Sequence, residues 1–427
     1  MAVGVSMILI FVILLLMAFP ISFSMVVSTM SALKIGGHNL EALPLSMVEG
    51  LNSFILLAIP FFILAGNLMN STGITNRIFD FSSALVGHIR GGLAQVNVLA
   101  SMIFSGISGT AVGDQAGMGA IEMKAMIDRG YTRPFSAAVT LSSSVIGAII
   151  PPSVPFIVYA FLAEVSLTRL FIAGIVPGIL IGLLLMVQIQ IMTRLNPNTF
   201  PKEKKFQVNE VQHSFKKGFF ALLAPIIVLG GMLTGIVTPT ETGVLAILYA
   251  LLCAVLYKEF SLKNIHEALK SSVHSTALVM FLMAVGGAMA WLISVEQLPL
   301  LLSEGLLGIT ENKYFMLLLI NIVLLFLGSI MEGIPIKLIM VPILLPIIDM
   351  LGIDRVHFGV VMSYNLLIGM ATPPMGLGLF IMSDVGNISM DKLIKTIIPF
   401  YIPLVIALLL ITFLPQLSLW LPDLMSK

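Results

Sequence analysis

Four short segments place oxygen donors where an apolar helix has to break. Ser105-Gly-Ile-Ser-Gly109 and Gly147-Ala-Ile-Ile-Pro-Pro-Ser153 lie in the first half of the chain. Gly328-Ser-Ile-Met-Glu-Gly333 and Gly369-Met-Ala-Thr-Pro-Pro-Met375 lie in the second. Proline removes a backbone donor and obstructs the preceding turn, and glycine permits a tight reversal, so each segment frees carbonyl oxygens. In apolar surroundings such backbone must be buried in protein or line a cavity, where its carbonyls can coordinate cations. The hydroxyls of Ser105 and Ser108, with the carbonyls of Gly147, Ile150 and Pro152, form one oxygen set suited to a sodium ion. Gly328, Gly369, Thr372 and Met375 form the symmetric second set, with Met375 acting through its carbonyl because a thioether is too soft for sodium. Neither set needs histidine or cysteine, which suits a hard cation. The bland alternative is that small residues and prolines merely let helices kink and pack closely. Four breaks in two matched pairs argue against it.

Glu332 stands out among the single residues because an ionisable side chain at membrane depth is a functional candidate by default. It is expected to bind a polar group of a substrate, a cation or a proton; the alternatives are pairing with Lys337 or exposure to a water-filled vestibule. Asp114, further down the first hairpin arm, reads as solvated. Glu241 follows Thr238-Pro239 at a helix start and reads as an N-terminal cap.

The elements that hold these segments must be membrane helices. The chain of 427 residues is 58% hydrophobic and 10% charged, outside the range of soluble domains. Stretches such as Val5 to Met25, Phe219 to Val237 and Phe400 to Leu414 approach the roughly 20 residues that cross a bilayer, with room for about ten or more spans. The first stretch has no basic leader or small-residue cleavage site and reads as a retained helix. A net charge of +1 gives no basic field for nucleic acid, so no nucleic-acid partner is expected. The single cysteine, Cys253, excludes an internal disulfide and a cysteine metal cluster.

Gly106 and Gly328 stand 222 residues apart. At the same offset Gly130 meets Gly352, Arg133 meets Arg355, Gly147 meets Gly369, Pro151-Pro152 meets Pro373-Pro374, and Pro177 meets Pro399. Glycine and proline have backbone-specific jobs, so their shared register marks an internal repeat. The longest polar segment, Thr193 to Gly218, carries Arg194, Lys202, Lys204, Lys205, Lys216 and Lys217 against Glu203 and Glu210 and is expected in the cytoplasm. Arg90, Lys124, Arg129 and Arg133 flank the first-half segment, whereas Glu304, Glu311, Asp349 and Asp354 enrich the second. Opposite charge asymmetry predicts inverted repeats with a site between them near the midplane. With an odd number of crossings per repeat, both termini lie outside.

FSGISGTAVGDQAGMGAIEMKAMIDRGY (Phe104 to Tyr131), IIPPSVPFIVYA (Ile149 to Ala160), VTPTETG (Val237 to Gly243) and IGMATPPMGLGLF (Ile368 to Phe380) resemble the motifs of the large membrane subunit of tripartite ATP-independent periplasmic (TRAP) transporters. The likeness spans nearly the whole chain. It implies an all-α polytopic fold of two inverted repeats, with re-entrant hairpins and broken helices, working as an elevator in the bacterial inner membrane. Scaffold helices would occupy 1–85 and 219–307. The transport-domain halves would occupy 86–192 and 308–427, joined by the 193–218 linker.

The resemblance also implies sodium at the hairpin tips, on the residues already chosen, and uptake of an organic anion. Two partners follow: a small four-helix membrane subunit and a soluble periplasmic substrate-binding protein. No small-subunit segment precedes Met1, so that subunit is expected as a separate chain. Many relatives carry Asp at the position of Glu332, which changes the side chain's reach toward substrate. The sequence is similar to the sialic-acid members, with a C4-dicarboxylate next in line.

A stand-alone sodium/dicarboxylate symporter shares the hairpin architecture and would need no binding protein. From another class, Gly106-Ile-Ser-Gly109 also fits the short Gly-x-Ser-Gly pattern of intramembrane serine proteases, which would need His274 or His357 beside Ser108. The second repeat has Ile330 in place of Ser108, which weakens that reading.

Overall fold

A computed structural model describes residues 2–196, 200–201, 205–308, 310 and 312–425, with the side chains of 2, 107, 108, 301, 303, 304, 306 and 307 outside the description. The first half contains α1 (Ala2–Leu16), α2 (Ile21–Ile35), α3 (Ala42–Glu49), α4 (Ala58–Ser71), α5 (Ile74–Val86), α6 (Gly92–Ser108), α7 (Ala111–Ala116), α8 (Met118–Asp128), α9 (Arg133–Ser144), α10 (Val154–Ala163) and α11 (Leu167–Leu195). The second contains α12 (Val208–Leu233), α13 (Pro239–Leu256), α14 (Leu262–Val295), α15 (Leu298–Leu307), α16 (Lys313–Ile330), α17 (Gly333–Met350), α18 (Arg355–Met370), α19 (Leu377–Gly386), α20 (Met390–Phe413) and α21 (Gln416–Met425). Among the described residues there is no strand.

Eight helices among the described residues are long and apolar enough to cross a membrane. The room for about ten or more spans is filled, among the described residues, by these eight and by shorter apolar helices at Val3–Leu16, Ile21–Ile35, Gly92–Gly106, Val154–Ala163 and Leu377–Gly386. Val5 to Met25 is shared by the first two of these: α1 stops at Leu16, Ala18 turns at φ 60°, and α2 starts after Pro20. Proline cannot extend α1 and disfavours a helical residue before it. The two helices then pack against each other.

The repeat survives in three dimensions with its register intact. Ser108 and Ile330, which end α6 and α16, stand in the 222-residue register. The α7–α8 arm (111–128) matches α17 (333–350), and Arg133 and Arg355 open α9 and α18. Pro177 and Pro399 lie inside α11 and α20, and the Pro151-Pro152 and Pro373-Pro374 bonds are both cis. One difference is local. Where α18 runs unbroken to Met370, α9 stops at Ser144 and gives way to a 3-10 turn at Ile146–Ala148. Ser142, Ser143 and Ser144 donate to Ala138 O, Thr140 O and Leu141 O, and such back-bonding bends and weakens a helix.

The broken helices run antiparallel. At one end Tyr159 Oη donates to Arg355 O at 2.7 Å and Arg355 Nη1 to Ala163 O at 3.1 Å, which puts the end of α10 beside the start of α18. At the other end Gly386, closing α19, packs on Met123 of α8, whose chain leads into α9. The two halves are inverted. The inter-repeat connection lies with the α8–α9 turn, since Phe200 packs on Phe135 (5.0 Å between ring centroids) and Tyr131. Helix covers both ends of the polar stretch, with α11 running to Leu195 and α12 starting at Val208. Of the charges behind the sidedness argument, Lys202, Glu203, Lys204, Glu311 and the Glu304 side chain fall outside the described residues.

Candidate functional site

Each hairpin tip is tied to the helix break of its own half. After α6 the chain reverses through Gly109 at φ 69°, and the Thr110 hydroxyl accepts from Gly113 N at 3.0 Å to cap α7. Val154 N, just past the Pro-Pro pair, donates to Gly109 O at 2.9 Å. In the second half α16 ends at Ile330, Met331 is extended, and Glu332 takes the N-cap position of α17. Met375 N donates to Ser329 O at 3.0 Å. The backbones of Gly328 and Gly369 touch directly: a Cβ on Gly369 would lie 2.6 Å from Gly328 C.

The sequence-derived oxygen sets sit at these clasps. Ser105 is fully buried and donates to Met102 O at 2.7 Å; the Ser108 side chain lies outside the described residues. Gly147 falls in the 3-10 turn that packs along α6, while buried Ile150 rests on Gly178 and Pro152 O approaches Gly109. In the second set Thr372 Oγ1 donates to Ile368 O at 2.8 Å, and its amide donates to Gly369 O. Met375 is largely exposed. Asp114 corrects the solvated reading: it is 4% exposed and its carboxylate abuts Gly147, filling the space a Cβ would need there. Glu241 does cap α13, in a reciprocal pair with Thr238.

A cavity of about 630 Å³ lies where the tips converge. Thr110 and Ala111 of tip 1, Glu332 and Gly333 of tip 2, and Val154 and Pro155 after the first break line one side. Asn67 and Asn70 of α4 and Ser271 and Ser275 of α14 line the other. Glu332 has no side-chain capping bond, although a carboxylate at a helix N-terminus is favoured by the helix dipole by about 0.3–1 kcal/mol. The expected alternative of a Glu332–Lys337 pair is not formed. Lys337 Nζ instead donates to Pro155 O at 2.6 Å and Ser363 Oγ at 2.8 Å, and the residue is 1% exposed.

The cavity is lined mostly by apolar side chains, with polar groups only at a few places such as Asn67, Asn70, Glu332 and Lys337. Inverted repeats, tips clasped to breaks and a cavity between them agree with what the comparisons return. Residues 8–417 match the DctM component of the tripartite ATP-independent periplasmic transporter family. The chain belongs to that family. It is 41% identical over 416 residues to the sialic acid TRAP transporter large permease protein SiaM of Vibrio cholerae, covering 96% of each chain. It is 37% identical to the C4-dicarboxylate TRAP transporter large permease protein DctM of Pseudomonas aeruginosa, covering 90% of each. Its fold is similar to the YdaH transporter of Alcanivorax borkumensis, with a TM-score of 0.63 at 16% identity over 88% of each chain. The permease names carried by relatives point away from the protease reading. So does His357, whose ring nitrogens meet Ser418 Oγ at 2.7 Å and Thr412 O at 3.3 Å on α21 and α20.

Two features of this TRAP permease were not singled out from sequence. The first is a polar network inside the first half. Asn97 Nδ2 donates to Thr140 Oγ1 (2.8 Å), Ser143 Oγ to Asn97 Oδ1 (2.6 Å) and Ser101 Oγ to Ser143 Oγ (3.1 Å). The available signal was Asn97, Ser101 and Ser105 at four-residue spacing, one face of α6. The second is Lys337, seen only as a partner for Glu332. A lysine within an apolar span costs about 2.5–3.5 kcal/mol on insertion scales and is a candidate in its own right.

Proposed function

We propose that this TRAP permease is the large subunit of a sodium-coupled secondary importer of an organic anion, with N-acetylneuraminate the first candidate and a C4-dicarboxylate the second. The observation that carries the reading is the cavity bounded by both hairpin tips on one side and by α4 and α14 on the other. A site in that position opens to either face when the tip-bearing halves (86–192 and 308–427) slide as an elevator against the remaining helices (1–85 and 219–307). The donors at Ser105, Ser108, Gly147, Ile150 and Pro152, and at Gly328, Gly369, Thr372 and Met375, are hydroxyl and carbonyl oxygens, a set that fits a hard monovalent cation. Bound sodium would supply positive charge that holds each tip against its break. Glu332 would contact the substrate.

A small four-helix membrane subunit and a soluble periplasmic binding protein complete the transporter, consistent with the three-part family. The preference for N-acetylneuraminate rests on the Vibrio cholerae relative's name and that for a C4-dicarboxylate on the Pseudomonas aeruginosa relative's. The bacterial inner membrane is the placement that membership of the family supports, and a cytoplasmic inter-repeat connection is supported by Arg90, Arg129 and Arg133 on its side, against Arg169 and Arg355, both paired with carboxylates, at the α10–α18 junction.

The test is reconstitution with the small subunit in liposomes under an inward sodium gradient, following labelled N-acetylneuraminate with and without the binding protein. Uptake needing both sodium and binding protein supports the tripartite reading. Uptake with sodium alone makes the chain a stand-alone symporter, and none sends the substrate question to succinate.

A further inference from the structure

We propose that Lys337 is the anion-recognition group of the cavity, its ammonium receiving the carboxylate of an acid that also carries hydrogen-bond donors. The inference rests on reading this cavity as the transport site and adds the residue that sets its charge preference. Lys337, Pro155 and Ser363 all line the cavity. An ammonium has three N–H donors, and Lys337 Nζ meets two neutral acceptors, Pro155 O at 2.6 Å and Ser363 Oγ at 2.8 Å. Among the described residues no carboxylate forms an ion pair with it. Glu332, five residues earlier at the start of the same helix, is about 7.5 Å away along the axis and roughly 140° around it.

The repeat supplies an internal control. Gln115 occupies the position equivalent to Lys337 in the 222-residue register. Its Nε2 donates to Ser144 Oγ at 2.9 Å on α9 and lies against Gly378 of α19, in the other repeat. Lys337 likewise reaches a serine of its own repeat's broken helix, Ser363 of α18, and in addition bonds across to Pro155 O of α10. A neutral amide is thus enough to bond the first arm to its own broken helix while packing against α19 of the other repeat. An ammonium is not needed for a contact to the arm's own broken helix, and a buried charge without an opposite partner carries a penalty. An arriving carboxylate supplies that partner.

Glu332 then narrows the substrate class. With Lys337 taking a carboxylate, the groups reaching Glu332 several ångströms away are best served by hydroxyl or amide N–H donors. A second carboxylate there would face a like charge. The cavity therefore suits a hydroxylated monocarboxylate over a small dicarboxylate.

The experiment compares wild type, K337Q and K337R, each purified with the small subunit, by thermal stabilisation against N-acetylneuraminate, succinate and neutral N-acetylmannosamine. K337Q copies the residue the first repeat already uses. The expected result is an unliganded Tm near wild type, with the N-acetylneuraminate midpoint raised at least tenfold in K337Q and largely restored in K337R. N-acetylmannosamine should be without effect, and succinate should act more weakly on wild type than N-acetylneuraminate. An identical midpoint in K337Q overturns the role of Lys337 and leaves anion binding standing. A K337Q complex that fails to assemble shows the charge to be structural and also overturns it. Wild type responding to neither acid overturns the anion reading beneath the inference.

Discussion

The two hairpin tips occupy equivalent positions but turn by different means and present different chemistry. Tip 1 reverses through Gly109 in left-handed backbone, and its cap residue, Thr110, is engaged with Gly113 N. Tip 2 passes through extended Met331, and its cap residue, Glu332, leaves its helix N-terminus without a side-chain bond and faces the cavity. Behind the tips the contrast reverses. The first arm buries Asp114, Gln115 and Glu122, where the second has Ile336, Lys337 and Leu344. An inverted repeat therefore supplies a symmetric frame in which one cap residue is engaged by its own helix and the other is not.

The largest expected effect tests the two close approaches. In G369A the new methyl meets the backbone of Gly328, which cannot rotate away, so overpacking should cost about 1–3 kcal/mol and nearly abolish uptake. In G147A the methyl meets the Asp114 side chain, which can swing aside. Thermal melting and uptake of the two variants should therefore differ, with G369A the worse; equal loss would remove the distinction between backbone and side-chain contact.

At the caps, Glu332→Gln should lower initial uptake about tenfold, the loss expected for one charge-assisted hydrogen bond, with normal yield of the complex. Thr110→Val should act on the fold instead, lowering Tm through a lost cap of about 1 kcal/mol. Wild-type rates in Glu332→Gln would end its role in the site.

Smaller shifts are expected in the cation response. Ser108→Ala and Thr372→Val each remove one hydroxyl from one proposed oxygen set, so each should raise the sodium concentration for half-maximal uptake severalfold. A sodium titration unchanged in one and shifted in the other would assign coupling to a single half. The least perturbing test is topological. In a C253A background, a single cysteine at exposed Gln207 should react with an impermeant reagent only from the cytoplasm, and one at Asp423 only from the periplasm. The reverse pattern would turn the molecule over.

Much of this organisation is local and could be read along the chain. Matched glycines and prolines mark where helices cannot continue, and the elements begin and end in that register, from Arg133 and Arg355 to the paired Pro-Pro breaks. Hydropathy measures apolarity without continuity: Val5 to Met25 is largely apolar yet turns at Ala18 and Pro20. Asp114 departs from its solvated reading for a related reason. Its spacing says which arm carries it, while its burial depends on Gly147, 33 positions away in the chain, offering a gap of the right size.

The sequence by itself determined the helical membrane class, the repeat and the four breaks, because backbone sterics and apolar length act within a few residues. Only the tertiary structure decided which side chains share the cavity. It separated Lys337 from Glu332, joined it to Pro155 and Ser363, and made Gln115 its neutral counterpart, because a buried donor takes whichever acceptor the packed neighbours bring within about 3 Å.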